Sequence, residues 1–234
     1  MAPLVEVRNL RYSYEDGTHA LKGIDFRLEE GEAVALLGAN GSGKTTFVMH
    51  LNGLLTGEGE VEVCGLAVNK ENLPTIRRKV GMVFQDSESQ LFMPTVLEDV
   101  AFGPLNRGAS PDEAIKRATD ALVTTGMAAA AARAPYHLSA GEKKRVAIAG
   151  ILATDPEILV LDEPTTFLDP PGQCALAELL SRLPQAKIVV THNIHFAQAL
   201  CTRAVFFQAG KIAAEGSVPS LVTRFGWDSA VSPR

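Results

Sequence analysis

Apolar residues occur along this chain in two patterns. Continuous runs at Ala33-Val34-Ala35-Leu36-Leu37, Val80-Gly81-Met82-Val83-Phe84, Ile158-Leu159-Val160-Leu161 and Ile188-Val189-Val190 read as strands buried on both faces. Alternating segments at Leu4-Val5-Glu6-Val7, Ile24-Asp25-Phe26-Arg27-Leu28 and Val61-Glu62-Val63 read as half-buried strands, the first two antiparallel. Turns are expected at Asp16-Gly17, Glu30-Gly31 and Gly57-Glu58-Gly59. Helical spacing appears at Phe47 to Leu51, in a polar stretch near Asn72 to Arg78, and at Val96 to Ala101, where Gly103-Pro104 is expected to break the helix. Ser110-Pro111-Asp112-Glu113 is a capping box opening another helix, with Ile115, Ala118 and Leu122 on one face. An Ala-rich helical stretch from Met127 to Ala132 follows, closed by Pro135. Further helices start at Ser139 and at Asp169-Pro170, the latter burying Leu176, Leu179, Leu180 and Leu183. Val205 to Ala214 reads as a closing hairpin turning at Ala209-Gly210-Lys211.

These elements predict an α/β fold in a single domain of residues 1–234. Residues 1–85 and 156–227 form the core with an N-terminal antiparallel β-subdomain, 86–155 an inserted helical subdomain, and 228–234 a flexible tail. The net charge of -5 and pI near 5.6 argue against a nucleic-acid footprint, which needs a basic patch or stripe. A local basic run at Glu142-Lys143-Lys144-Arg145 reads either as a solvated helix face or, following Ser139, as charge beside an anion site. Cys64, Cys174 and Cys201 are odd in number and far apart, which suggests neither a disulfide framework nor a zinc site and fits a reducing cytosol. No apolar run approaches the roughly 18 residues a spanning helix needs, so work at a membrane would require docking on another protein.

The chemistry concentrates where strand runs end. Gly38-Ala39-Asn40-Gly41-Ser42-Gly43-Lys44-Thr45-Thr46 follows a buried strand, precedes a helix and matches the phosphate-loop pattern G-x-x-x-x-G-K-[ST] at every fixed position. Glycines admit close approach of an anion, N–H groups at the helix start point at it, Lys44 adds a mobile positive charge and Thr45 is placed to ligate magnesium. Asp162 and Glu163 end another strand: the first is expected to hold magnesium through water, the second to orient or deprotonate an attacking water. Gln85 and His192 also lie at carboxyl ends of strands, where α/β sheets bind ligands. On position alone Gln85 is equally a metal-reaching amide or a structural one, and Tyr14 equally a purine-stacking ring or a packing one. Ser139-Ala140-Gly141-Glu142 is a second capping box, either a plain helix cap or an anion site.

Taken in order, these parts resemble the ATP-binding-cassette ATPases over essentially the whole chain from Leu4 to about Val222. The phosphate loop spans Gly38 to Thr46, a glutamine loop follows Val83-Phe84-Gln85, the signature is Leu138-Ser139-Ala140-Gly141-Glu142, Leu168-Asp169 corresponds to the D-loop and His192 to the switch histidine. The resemblance implies a P-loop NTPase core of RecA-like type, ATP and Mg2+ as cofactors, and adenine stacked on Tyr14. It also implies ATP contacts from Gly38, Asn40, Gly41, Ser42, Gly43, Lys44, Thr45, Thr46 and Gln85, and magnesium held by Thr45, Gln85 and Asp162. Glu163 and His192 then become the catalytic residues. Ser139, Ala140, Gly141 and Glu142 would touch ATP held by a second ATPase subunit, a homodimer or paralogue partner, with Asp169 in the D-loop between. Ala140 stands where Gly is commoner and Phe167 where small residues are usual.

A narrower resemblance rests on Val83 to Phe92, Phe102-Gly103-Pro104-Leu105-Asn106 and Gly141 to Gly150, which look like energy-coupling-factor ATPases, above all the cobalt and nickel type. It implies an ATPase at the cytoplasmic face of the cell membrane that powers uptake of cobalt, nickel or a vitamin such as biotin. Its partners would be a transmembrane coupling protein docking near Gln90 to Asn106 and, indirectly, a substrate-binding membrane protein, with no nucleic acid. The alternative is a soluble cassette ATPase acting on nucleic acid or ribosomes, against which the acidic charge weighs.

Overall fold

The alternating N-terminal segments pair as their pattern predicts. In the computed structural model, which describes residues 2–86 and 88–227, β1 (Val5–Ser13) runs antiparallel to β2 (His19–Leu28), with Val5 opposite Leu28 and Val7 opposite Phe26. β3 (Ala33–Leu37), α1 (Lys44–Leu51), β4 (Glu58–Val63), β5 (Leu66–Ala67), α2 (Leu73–Lys79) and β6 (Val80–Val83) follow. A helical insertion contributes α3 (Val96–Asn106), α4 (Pro111–Thr124) and α5 (Ala140–Leu152). The chain then forms β7 (Ile158–Asp162), α6 (Pro170–Ser181), β8 (Ala186–Val190), α7 (Ile194–Leu200), β9 (Arg203–Gln208), β10 (Lys211–Gly216) and α8 (Val218–Phe225). The tail predicted over 228–234 lies outside the described residues.

The described residues form two sheets. One is antiparallel in the order β2-β1-β4-β5, and the other runs β10-β9-β3-β8-β7-β6, parallel except at the β10 edge. Because side chains alternate across a strand, β3 sends Val34 and Leu36 to one face of the parallel sheet and Ala35 and Leu37 to the other. The first face packs against α1 and the antiparallel sheet, the second against α6, α7 and α8. The insertion has its own core, in which Val96, Val100, Ala118, Leu122, Val146 and Ala149 meet. This layering carries the carboxyl ends of β3, β6, β7 and β8 to one edge, where the phosphate loop, Gln85, the acid pair and His192 emerge.

Several local expectations fail for physical reasons. Gly57-Glu58-Gly59 is not a turn: Glu58 and Gly59 belong to β4. Gly59 has φ 101° and faces the register shift in β1, where a Cβ would stand 2.6 Å from the Asn9 carbonyl. Gly103-Pro104 does not end α3, because Pro104 falls in its last turns, and a ring there forfeits one ladder bond while its body is buried. The Ser110 box is only half made: Ser110 Oγ accepts the Glu113 N–H, but the Glu113 carboxylate turns to Arg117 Nε at 2.7 Å. Ile115 is exposed and Ala114 takes its place inside. Met127 to Ala132 makes one 3-10 turn at Ala128–Ala130. The carbonyls of Ala131 and Arg133 instead accept the N–H groups of Leu97 and Val96, satisfying orphan donors at the start of α3.

Candidate active site

The phosphate loop is built from backbone that only small residues allow. Gly38 has φ 133°, and a Cβ there would lie 2.2 Å from the Phe207 carbonyl oxygen. Gly43, the N-cap of α1, has φ 107° and the same lack of room beside the Ala20 carbonyl. The loop is therefore wedged between β9 and β2, and α1 begins with no side-chain cap on its first N–H groups. Lys44 lies almost wholly buried, its Nζ donating to the carbonyls of Gly38 at 2.7 Å and Ala39 at 3.0 Å. Burial lowers the Lys44 pKa, opposed by the charges of Glu163 and Asp162.

Thr45 Oγ1 donates to Asp162 Oδ2 at 3.0 Å, so the strand β7 and the loop are tied at their ends. Asp162 Oδ1 is buried without a partner. Burial raises the Asp162 pKa and the neighbouring Glu163 adds to this, while the Thr45 hydroxyl, Lys44 and Lys144 act the other way. A hydroxyl, a carboxylate and the Gln85 amide border one cleft of about 520 Å³, an all-oxygen donor set suited to a hard cation that shares its shell with phosphates. The orphaned Oδ1 is the atom such a cation would satisfy, so these residues fit magnesium.

Glu163 follows β7 at φ 46°, held there by its N–H to the Val190 carbonyl at 2.8 Å. Its Oε2 receives the His192 backbone N–H at 3.3 Å and stands 2.9 Å from His192 Nδ1, whose ring is largely exposed. An acid in this place can hold a water against a phosphate while the imidazole fixes its direction. Tyr14 reaches the cleft from β1's end: its hydroxyl bonds Thr46 Oγ1 at 2.8 Å and its ring meets Tyr12 edge to face. Asn40, Gly41 and Thr46 also border the cleft, and Ser42 is buried beneath the loop.

The signature is not part of this cleft. Ser139 caps α5 reciprocally, its Oγ accepting the Glu142 N–H at 3.3 Å and its N–H bonding Glu142 Oε2 at 2.8 Å, with Arg133 Nη1 on Glu142 Oε1 at 3.0 Å. Ala140 shares a second groove with Gln85 and Phe167. Asp169 caps α6 by accepting the Gly172 N–H. Phe167 sits at φ 65° with 80% of its surface exposed. Of the basic run, Lys144 is neither solvated nor aimed at an anion: it is buried, and its Nζ donates to the Gln85 carbonyl at 2.9 Å and lies 3.4 Å from that of Phe84. Burial lowers its pKa against the charges of Asp86 and Asp162. The available signal was its spacing, three and four residues before the buried Ala147 and Ile148.

The ABC transporter family profile matches residues 21–166. The energy-coupling factor transporter ATP-binding protein EcfA of Methanosphaera stadtmanae is 47% identical over 229 residues, 95% of this chain and 82% of its own length. CbiO1 from Clostridium perfringens, described as part of the ABC transporter complex cbiONQ, shares the fold with a TM-score of 0.88 at 35% identity, over 99% of this chain and 95% of that one. The ATP-binding cassette MJ0796, solved as a dimer in a post-hydrolysis state with ADP and Pi, gives a TM-score of 0.81 at 33% identity, over 92% of this chain and 98% of that one. With its phosphate loop, acid pair and signature on the same fold, the chain belongs to the ATP-binding-cassette transporter family, as an ATP-hydrolysing subunit of the energy-coupling-factor type.

Proposed function

We propose that this ATPase closes head to tail on a second ATPase subunit, with ATP and magnesium between them, and drives an importer at the cytoplasmic face of the membrane. Tyr14 stacks on adenine, the loop from Gly38 to Thr46 wraps the phosphates, and Ser139, Ala140, Gly141 and Glu142 face the nucleotide of the partner. Thr45, Gln85 and Asp162 are the residues that hold magnesium, which when bound neutralises charge on the phosphates. Glu163 takes the proton of the attacking water, and His192, 2.9 Å away, orients it. Lys44 leaves its loop carbonyls for the terminal phosphates. Most of the rate enhancement comes from charge placed in advance.

The observation that carries the transporter reading is an exposed apolar groove between β6 and the inserted helices α3 and α5. Phe92 and Phe102 meet edge to face at 4.9 Å and, with Leu54, stay substantially exposed. Asp99 shapes the wall, accepting the N–H groups of Phe92 and Met93. Such a groove suits an amphipathic helix, here the coupling protein's, and among the described residues no helix is itself long and apolar enough to cross a membrane. Of the cargoes, the resemblance to cobalt- and nickel-type subunits puts cobalt first, nickel next, and a vitamin such as biotin after. The test is to purify tagged Glu163→Gln from gently solubilised membranes with ATP and identify what accompanies it. A coupling protein with a metal- or vitamin-binding membrane protein is the expected result. Recovery only in the soluble fraction, with nucleic acid or ribosomes, overturns the reading.

A further inference from the structure

The groove between the glutamine loop and the signature helix holds a charged group that the nucleotide reading leaves unused. Lys144 is 2% exposed, which for a lysine requires specific partners, and its nearest are main-chain oxygens of Gln85 and Phe84. Those residues lie where β6 gives way to the loop. From the other side Gln90 grips the same base, its Oε1 accepting the Phe84 N–H at 3.1 Å and its Nε2 donating to the Met82 carbonyl at 3.2 Å. Gln90 borders the apolar groove. Lys144 stands in the first turns of α5, five residues after the N-cap Ser139. The backbone from Met82 to Gln85 is therefore held at its Gln85 end by a helix that starts with the signature and, just before it, by a side chain that reaches from the groove.

We propose that Lys144 is a positioning residue, which holds the Gln85 backbone so that its side-chain amide faces Thr45 and Asp162, and which makes the signature helix and the magnesium site of one chain move together. The bond is well suited to this role. An ammonium donating to carbonyls makes charge-assisted bonds, and in a buried site they are not exchanged for water at low cost. Gln85 itself is exposed, so without the Lys144 donor its carbonyl turns toward solvent, and the side chain moves with it. The inference rests on the reading of Gln85 as a magnesium-reaching residue, so its test must separate the two.

Mn2+ serves as the spectroscopic stand-in for magnesium. Its affinity for the full-length protein with the non-hydrolysable ATP analogue AMP-PNP is read by electron paramagnetic resonance in the parent, Lys144→Met, Gln85→Ala and the double variant. Metal-free nucleotide affinity is measured alongside. Met keeps the length of the side chain and removes the donors. Lys144→Met is expected to weaken Mn2+ by about tenfold, as loss of an outer partner of a metal ligand typically does, and Gln85→Ala by at least as much, each loss exceeding any change in metal-free nucleotide affinity. The double variant is expected to be no weaker than Gln85→Ala alone, because Lys144 acts through Gln85. A loss in Gln85→Ala with none in Lys144→Met overturns the proposal and leaves Gln85 in its role. Unchanged Mn2+ affinity in Gln85→Ala overturns the Gln85 reading and the proposal with it. Additive losses in the double variant also overturn it, since they mean Lys144 acts elsewhere. If Lys144→Met does not fold, Lys144→Gln, which retains an N–H donor, replaces it: a loss smaller than that of Gln85→Ala and absent from the corresponding double variant supports the link, and a loss that adds to that of Gln85→Ala in the double variant refutes it.

Discussion

The nucleotide cleft and the signature surface are made in opposite ways. In the cleft, charged groups are buried: Lys44, Asp162 and Glu163 lie within a few residues of strand ends, Asp162 keeps an orphaned oxygen, and Glu163 is held at positive φ. At the signature, Ser139 and Glu142 satisfy each other, Arg133 adds an exposed ion pair, and Phe167 stands in solvent. The first region is costly until a ligand supplies what it lacks. The second is content on its own and presents a finished surface. The contrast is what the proposed head-to-tail arrangement asks of a single chain carrying two halves of different sites: one half binds in its own fold, and the other acts by facing another molecule.

The sharpest break of this contrast is Glu163→Gln. It should lower turnover about 10³-fold while ATP still binds, read as phosphate release against nucleotide affinity. Turnover near the parent's would remove Glu163 from the reaction. Next in size is complementation. Ser139→Ala removes the α5 cap along with the hydroxyl a chain offers its partner but leaves that chain's own cleft intact, and Glu163→Gln alters only its own cleft. Each variant alone should be nearly inactive, but a 1:1 mixture should recover roughly a quarter of parental activity through mixed dimers with one intact composite site. An inactive mixture would place both residues in the same half-site.

A smaller effect isolates the cost of the cleft itself. Burial raises the pKa of Asp162 above 3.8, so the folded state holds this proton more tightly than the unfolded chain. The folded form is thus penalised once pH exceeds the raised value, and the penalty fades as pH falls toward 3.8. Asp162→Asn in metal-free buffer should melt higher than the parent near neutral pH, with the gap closing on acidification. A gap independent of pH would deny the buried charge its role. Smallest is Phe167→Asn. Phe167 occupies the left-handed region, which Asn tolerates better, and its ring buries little, so about 0.5 kcal/mol of stability and about 1–2 °C in thermal midpoint should be gained. Loss of hydrolysis in the same variant would mark the ring as a contact of the closed dimer.

Local rules carried much of the fold. β3 and β7 follow from uninterrupted apolar runs, and the starts of α5 and α6 from Ser139 and Asp169, since strand burial and helix capping depend on near neighbours. The errors arose where a distant segment decided. Gly59 lies in a strand because β1 bulges opposite it, and the Ala131 and Arg133 carbonyls leave their own turn to serve α3.

For the site, the sequence alone determined the phosphate loop, the acid pair and the histidine, because each is announced by a short motif at a strand end, and a family resemblance then joined them. Only the tertiary structure decided that Thr45 meets Asp162, that Glu163 meets His192, and that Lys144 leaves solvent to hold the Gln85 backbone. These contacts span tens of residues of chain. Their partners are chosen by how the sheet stacks its strands and by how the insertion lays α5 against β6, which no local pattern encodes.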